Sequence, residues 1–354
     1  MYYKNPRKYF LPRKWELITD QTNFHGWDFL RELIGHNVFL ASIDWHNHAQ
    51  RDLPVEYPYY FVKTEGANVA WVERQAQRVQ GTIFWMCQYR DYGAFDHLPN
   101  VVSLPGIEWH YEFAGCQQDF NCQVDKHIKY KLSCLVNRQT ENKILSLAAV
   151  YQHIGFDSCM VSLHNNIEEK NVNHWQIDHP VLNKYIQVYH EHLRNCSIEI
   201  ADDIDLRLDS YNFQHPAFTN AAMNINNESF HYSLQHKRIN PGPVLTEKTI
   251  KAIMGECAFL NNGQFDTYNS LTELGFRFDY GLDLGYDQIS ADYDRMLGMI
   301  QVIKQISSIS AYQLWEQTRD SCLHNKDHVM SGAFYQQAEA VNHRSLERIL
   351  EIIQ

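Results

Sequence analysis

Short apolar runs, each ending in polar residues, recur along the chain and constrain its fold more than any other feature. Three of them lie in the first third of the chain, at 36–44, 81–87 and 100–105. An apolar run of this length without alternation is typical of a strand that is buried on both faces, as in parallel sheets. Helix-like stretches lie at 26–34, before the first run, and at 65–79, between the first run and the second. The pattern predicts an α/β domain over 1–125.

The second half of the chain repeats this alternation of strands and helices. Its predicted strands lie at about 129–136, 157–163, 220–225 and 256–261. Its predicted helices lie at 141–152, 180–194 and 291–306, and a last helix lies near 333–354. Gly255 and Gly275 follow helical stretches, where a helix often ends in a left-handed residue. A second α/β domain over 126–310 and a helical tail over 311–354 follow, and the length of 354 residues agrees with two domains.

Charge and composition argue against several classes of protein. The net charge is 31 − 42 = −11, so nucleic acid is a disfavoured partner. The sequence has no run of 18 or more apolar residues and starts without the apolar stretch of a secretory signal. Cys87, Cys134 and Cys257 lie in apolar runs and none of the eight cysteines forms a CxxC pair, which indicates buried free thiols. We therefore expect a cytoplasmic protein.

Five of the first 14 residues are basic, namely Lys4, Arg7, Lys8, Arg13 and Lys14. Such a cluster can contact anionic lipid headgroups, although a solvated N-terminus explains it at least as well. The cluster is therefore compatible with peripheral contact at the inner face of a membrane.

A helix start at Thr246-Glu247-Lys248 is the most informative motif for chemistry. A helix N-terminus collects unpaired N–H groups and partial positive charge, and it therefore holds phosphate well. Lys248 can reach an anion there, and Glu247 can accept hydrogen bonds from a sugar hydroxyl. These residue types suit a nucleotide-sugar site. Taken alone, they fit an ordinary surface helix with a solvated ion pair better.

Other motifs surround this helix in a definite order. A strand-like run ends in Leu135-Val136-Asn137-Arg138, a second run over 221–230 contains Glu228, and Leu-Gly-Phe and Leu-Gly-Tyr-Asp elements follow at 274–276 and 284–287. This order resembles the donor-binding half of fucosyltransferase-like bacterial glycosyltransferases. The resemblance covers roughly residues 128–306, about half of the chain.

The resemblance implies a fold of two Rossmann-like domains in the GT-B arrangement. The first domain would hold a glycan or lipid-linked glycan acceptor, the second would bind a GDP- or UDP-sugar donor, and the C-terminal tail would pack back on the first domain. The implied reaction is sugar transfer with inversion in the synthesis of capsule or lipopolysaccharide. No prosthetic group and no metal ion would be required.

The same resemblance assigns roles to four residues of the second domain. Lys248 would contact phosphate, Glu247 the donor ribose, and Glu228 the donor sugar or ribose. Arg138 would bind the diphosphate, because it ends the first strand of this domain and its planar guanidinium matches a phosphate pair. A salt bridge between Arg138 and Glu141 is the alternative.

Transfer also requires a base that takes the proton of the acceptor hydroxyl. Asp44 is our first candidate because it closes an apolar strand, Glu108 is the second and Glu65 the third. The resemblance does not extend to this half of the chain, and each carboxylate also fits a helix cap or a surface charge.

The stretch Asp44-Trp45-His46-Asn47-His48 supports a different class of enzyme. Alternate residues lie on one face of a strand, so Asp44, His46 and His48 can bind a metal ion in a metal-dependent hydrolase. No HExxH motif and no second ligand cluster accompany the stretch, and we rank this hypothesis below glycosyl transfer. A sugar-binding module without activity, and a phage-type glycosyltransferase acting on modified DNA bases, are further alternatives.

Overall fold

The computed structural model describes residues 38–43, 52–64, 69–88, 95–107, 124–137, 139–163, 177–198, 215–228, 243 and 247–354. The chain divides into two compact units. The first unit comprises 1–119, 237–244 and 332–354, and the second comprises 120–236 and 245–331. Each unit contains a four-stranded sheet in which all paired strands are parallel. The predicted α/β class is thereby confirmed.

The strands of the first unit are β1 (Val38–Ile43), β2 (Tyr59–Thr64), β3 (Thr82–Gln88) and β4 (Val101–Gly106), and those of the second are β5 (Tyr130–Val136), β6 (Cys159–Leu163), β7 (Ala221–Asn227) and β8 (Ala258–Asn262). The helices are α1 (Val69–Arg78), α2 (Glu141–His153), α3 (Pro180–Val188, extended by a π-helical turn at Tyr189–Leu193), α4 (Pro216–Thr219), α5 (Glu247–Met254), α6 (Thr267–Glu273), α7 (Asp292–Ser307), α8 (Ala311–Met330) and α9 (Ala333–Ile353). Strand β2 was not among the elements predicted from the sequence, helix α8 lies within the predicted helical tail over 311–354, and the predicted helix at 26–34 lies outside the described residues.

The sheet of the first unit is buried on both faces, as its apolar runs predict. Its order is β1-β2-β3-β4, and helix α1 covers one face against Tyr60, Val62 and Trp85. The intervening residues point to the other face, where Phe61 and Phe84 pack against α9. Helix α9 therefore completes the first unit although it ends the chain.

Helix α9 also binds the end of the edge strand β4 through polar contacts. The Asn342 side chain accepts a hydrogen bond from the Ile107 N–H (2.9 Å) and donates one to the Ile107 carbonyl (3.2 Å). The Ser345 hydroxyl donates to the Pro105 carbonyl. Because these backbone groups are buried, the helix satisfies them where the sheet ends.

The sheet of the second unit has the order β6-β5-β7-β8, so the strand order reverses between β5 and β7. Ser146 of α2 and Thr249 of α5 bind Asn227 and Asn226 of β7, respectively. Since neighbouring residues of a strand point to opposite faces, α2 and α5 lie on opposite faces of this sheet. Helix α8 contacts α5 and strands β5, β7 and β8. The sheet is therefore covered on both sides, which is the doubly wound architecture.

Two predictions about glycines had different outcomes. Gly275 has φ of 88° after α6, so the predicted left-handed helix end is confirmed there. The prediction for Gly255 is wrong, because the left-handed residue after α5 is Glu256, with φ of 50°. Gly255 instead permits close packing, since a Cβ atom there would lie 2.7 Å from the Cβ of Phe218.

Cys134 and Cys257 are buried free thiols, as their apolar surroundings predicted, and the side chain of Cys87 lies outside the described residues. Within the part of the chain that the structure describes, no helix is long and apolar enough to cross a membrane.

Candidate functional site

The reversal of strand order in the second unit marks the place where a ligand is expected. Ligands of open α/β sheets bind outside the carboxyl ends of the strands, at the point where the strand order reverses. Here that point lies between β5 and β7. Glu228 directly follows β7, and the first turn of α2 follows β5 after a short loop. Residues at these two strand ends therefore form the candidate site.

Two of the residues predicted from the sequence meet at this site. Lys248, in the first turn of α5, places its Nζ 3.5 Å from Oε2 of Glu228. The Glu228 side chain is only 4% exposed and that of Lys248 is 29% exposed, so the carboxylate is buried and the ammonium group reaches solvent. The distance is long for a hydrogen bond, so the pair is held mainly by charge. A partly exposed ammonium group beside a buried carboxylate can bind a ligand that carries both an anionic group and hydroxyl groups.

The other predicted residues can be placed only in part. Glu247 opens helix α5, but its side chain lies outside the described residues. Arg138, Asp44, Glu108 and Glu65 also lie outside them. Their roles stay predictions.

Buried amide side chains connect the strand ends around Glu228. The Asn142 side chain donates to the carbonyls of Glu228 (3.3 Å) and Asn262 (3.4 Å). The Asn262 side chain donates in turn to the Asn142 carbonyl (3.1 Å) and to Oδ1 of Asn227 (2.6 Å). Buried polar groups must find partners inside the protein, and here they find one another. The network fixes the backbone of Glu228 between α2 and β8.

A second polar chain runs through the other face of the same strands. The Ser133 hydroxyl of β5 donates to Asn224 of β7 (2.8 Å), and the Asn224 amide donates to Asn226. The Asn226 amide then donates to the Thr249 hydroxyl (3.1 Å). Because Thr249 directly follows Lys248, this series of hydrogen bonds anchors the first turn of α5 to the sheet. It therefore holds Lys248 beside Glu228.

The Tyr-Asp element that contributed to the family resemblance has a structural role. The Asp287 carboxylate accepts hydrogen bonds from the Asn261 side chain and from the N–H of Tyr268, both at 2.8 Å. Tyr268 lies in the first turn of α6, so Asp287 caps this helix from a distant part of the chain. Burial raises the pKa of the Asp287 carboxyl to about 7, although its hydrogen bonds and the nearby Arg295 oppose the rise. Asp287 stabilises the loop that follows β8.

Sequence reasoning missed both polar networks. Their signal was present, since the apolar runs of β7 and β8 contain Asn224, Asn226 and Asn227 in one strand and Asn261 and Asn262 in the other. Asparagine is rare inside buried strands, so its repetition there indicates a specific polar structure.

The described residues contain no group of three or more His, Cys, Asp or Glu side chains that could hold a metal ion. Asp44, His46 and His48, the predicted metal ligands of the alternative hypothesis, lie outside the described residues. Comparison of the chain with protein-family models, with curated proteins and with solved structures gave no match.

Proposed function

We propose that the protein is a GT-B type glycosyltransferase that moves a sugar from a nucleoside-diphosphate sugar to a hydroxyl group of a glycan. The observation that carries the proposal is the pairing of Lys248 with the buried Glu228 beside the point where the strand order of the second sheet reverses. A cation and a carboxylate at this position match the two parts of a nucleoside diphosphate, the charged phosphates and the ribose hydroxyls.

Two features of the fold support the proposal. Both units are built on parallel sheets, as two Rossmann-like domains require. Helix α9 returns to the first unit after α8 has completed the second, which agrees with the tail expected for the GT-B arrangement.

Each residue has a defined part in the proposed reaction. The acceptor oxygen forms a bond to the anomeric carbon of the donor, while the bond from that carbon to the diphosphate oxygen breaks. Lys248 stabilises the charge of the leaving diphosphate, with Arg138 as the predicted second cation. Glu228 and Glu247 accept hydrogen bonds from donor hydroxyls. The acceptor proton passes to a carboxylate, for which Asp44 and Glu108 are the candidates.

The proposal also names partners and a place of action. The donor is a GDP- or UDP-sugar, and the acceptor is a glycan or lipid-linked glycan of a bacterial surface polysaccharide. Such an acceptor suits a cytoplasmic enzyme that contacts the inner face of the membrane through its basic N-terminal residues.

A thermal-shift panel with GDP, UDP, CMP and dTDP, each with and without EDTA, tests this function. A nucleotide at ~100 times its dissociation constant adds about 2.7 kcal/mol to the stability of the folded state. For units of this size, that corresponds to a rise of several degrees in the melting temperature. A rise with one nucleoside diphosphate that EDTA does not alter supports the proposal and identifies the donor base.

Two other results contradict the proposal. If no nucleotide raises the melting temperature and EDTA lowers it, the metal-dependent hydrolase built on Asp44, His46 and His48 becomes the better hypothesis. Retention of the protein on immobilised DNA in a salt-dependent manner favours the DNA-modifying alternative instead.

A further inference from the structure

Gly263 directly follows β8 and lies against the side chain of Glu228. A Cβ atom at residue 263 would lie 3.0 Å from the Cγ and 3.1 Å from the Cβ of Glu228, and 2.8 Å from Oδ1 of Asn261. Carbon atoms in contact are normally 3.5–4.0 Å apart, so a side chain here would overlap with both neighbours. The φ of Gly263 is not positive, so the close approach, rather than the backbone conformation, requires glycine.

The two neighbours differ in how easily they can move. The Asn261 side chain is fixed because its amide donates to the Gln264 carbonyl and to Asp287, both at 2.8 Å. The backbone of Glu228 is fixed as well, since its N–H donates to the Asn262 carbonyl at 3.2 Å. The side chain of Glu228 beyond Cβ rotates about single bonds and can move at lower cost. A substitution of Gly263 would therefore strain the contact with Asn261 and displace the carboxylate of Glu228.

We propose that Gly263 is a positioning residue that sets the carboxylate of Glu228 for the ribose hydroxyls of the nucleotide. This inference rests on the proposed function, and it assigns the nucleoside part and the diphosphate part of the ligand to different residues. Gly263 determines the affinity for the nucleoside part through Glu228. The affinity for the diphosphate part depends on Lys248, whose helix turn is anchored to the sheet through Thr249 and not through Gly263.

Calorimetric titration of the Gly263→Ala variant tests the proposal with two probes, the nucleoside diphosphate selected by the thermal-shift panel and inorganic pyrophosphate. The affinity for the nucleoside diphosphate should fall about tenfold or more, as expected when a hydrogen bond to a charged group is lost. The affinity for pyrophosphate should not fall, because Thr249 still anchors the turn that carries Lys248 and the displaced carboxylate competes less for the Lys248 ammonium group. Glu228→Ala should lose as much nucleoside affinity, and the Gly263→Ala/Glu228→Ala double variant should lose no more than either single variant.

Gly155→Ala is the matched control. Gly155 lies in the same unit before β6, has φ of 82°, and would accommodate a Cβ atom without contact. Alanine there strains the backbone, so this variant should melt at a lower temperature and bind both probes as the wild type does. The proposal is wrong if Gly263→Ala, like Gly155→Ala, binds both probes as the wild type does. It is also wrong if the losses of nucleoside affinity caused by Gly263→Ala and Glu228→Ala add in the double variant.

Urea unfolding gives a second test that needs no ligand. Gly263→Ala should destabilise the wild type more than it destabilises Glu228→Ala, because that background lacks the Cγ atom against which the new methyl group would press. Equal destabilisation in both backgrounds overturns the positioning role. If the wild type binds no nucleotide, the proposed function fails while the unfolding data still decide whether Gly263 positions Glu228.

Discussion

Asp287 gives the protein a pH dependence of stability whose sign and size follow from its surroundings. Its carboxyl is fully buried and caps α6, and burial raises its pKa from 3.8 to about 7. Arg295 and Asp266 are the charged groups that act on it, with opposite effects on its pKa. The substitution Asp287→Asn separates the contribution of this group from that of other titrating groups, because it keeps the shape of the side chain and removes its ionisation.

The sign follows from the difference in bound protons. Between pH of about 4 and about 7, the carboxyl is ionised in the unfolded chain and protonated in the folded protein. The folded state therefore binds more protons in this window, and the free energy of unfolding falls as the pH rises. A rise of about 3 in pKa corresponds to roughly 4 kcal/mol over the whole window, as an upper estimate. Above pH of about 7 both states are ionised, and the contribution stays constant.

Urea unfolding of the wild type and of Asp287→Asn between pH 4 and pH 8, followed by circular dichroism, measures this effect. Other titrating groups contribute equally to both proteins, so the difference between their free energies of unfolding reports Asp287 alone. We expect the wild type to lose stability relative to Asp287→Asn as the pH rises, by up to roughly 4 kcal/mol. Parallel pH profiles would show that folding does not raise the pKa of Asp287. A wild type that becomes more stable relative to the variant as the pH rises would show that folding lowers it.

Three further substitutions test the fold. Asn342→Leu should destabilise the first unit by about 2 kcal/mol, because it leaves both buried backbone groups of Ile107 without the side chain that binds them. Urea unfolding should show this loss, and the exposed control Gln337→Leu should show no comparable loss. Gly275→Ala should cost about 1–2 kcal/mol, since φ of 88° strains any side chain, and an unchanged melting temperature would contradict this reason. Tyr60→Phe should cost about 1 kcal/mol, because its hydroxyl donates to a backbone carbonyl 2.7 Å away; an equal or higher free energy of unfolding would contradict it.

The apolar runs predicted most strands because burial on both faces leaves a strong local pattern. Strand β2 was missed although Tyr59 to Val62 is an aromatic and β-branched run, which favours a strand, and Pro58 precedes it. Helix α8 lies in the helical tail predicted over 311–354, but its own bounds were not predicted, although a capping box between Ser310 and Gln313 marks its start. Both signals can be read from the sequence, so strand β2 and the start of α8 could have been predicted.

Other features depend on contacts that no local pattern reveals. The amide network requires that β7 lies between β5 and β8, and the sequence does not fix which strands are neighbours. The close packing of Gly255 against Phe218 joins distant parts of the chain, and the left-handed residue of this turn is Glu256 rather than the glycine. The sequence predicted Lys248 and Glu228 as two residues that bind one nucleotide, but it did not predict that they contact each other. That contact depends on Thr249, which anchors α5 to the sheet.

Binding of a nucleoside diphosphate by Lys248 and Glu228 can be measured by titration calorimetry of the Lys248→Ala variant. Lys131→Ala is the matched control, since Lys131 is also partly exposed and donates to one carbonyl, that of Ser307 (2.6 Å), near the opposite end of the same sheet. We expect Lys248→Ala to lower the affinity for the nucleoside diphosphate about tenfold or more, because a charged contact to phosphate is lost. Lys131→Ala should bind as the wild type does. Equal affinities of Lys248→Ala and the wild type would show that Lys248 does not bind the phosphates.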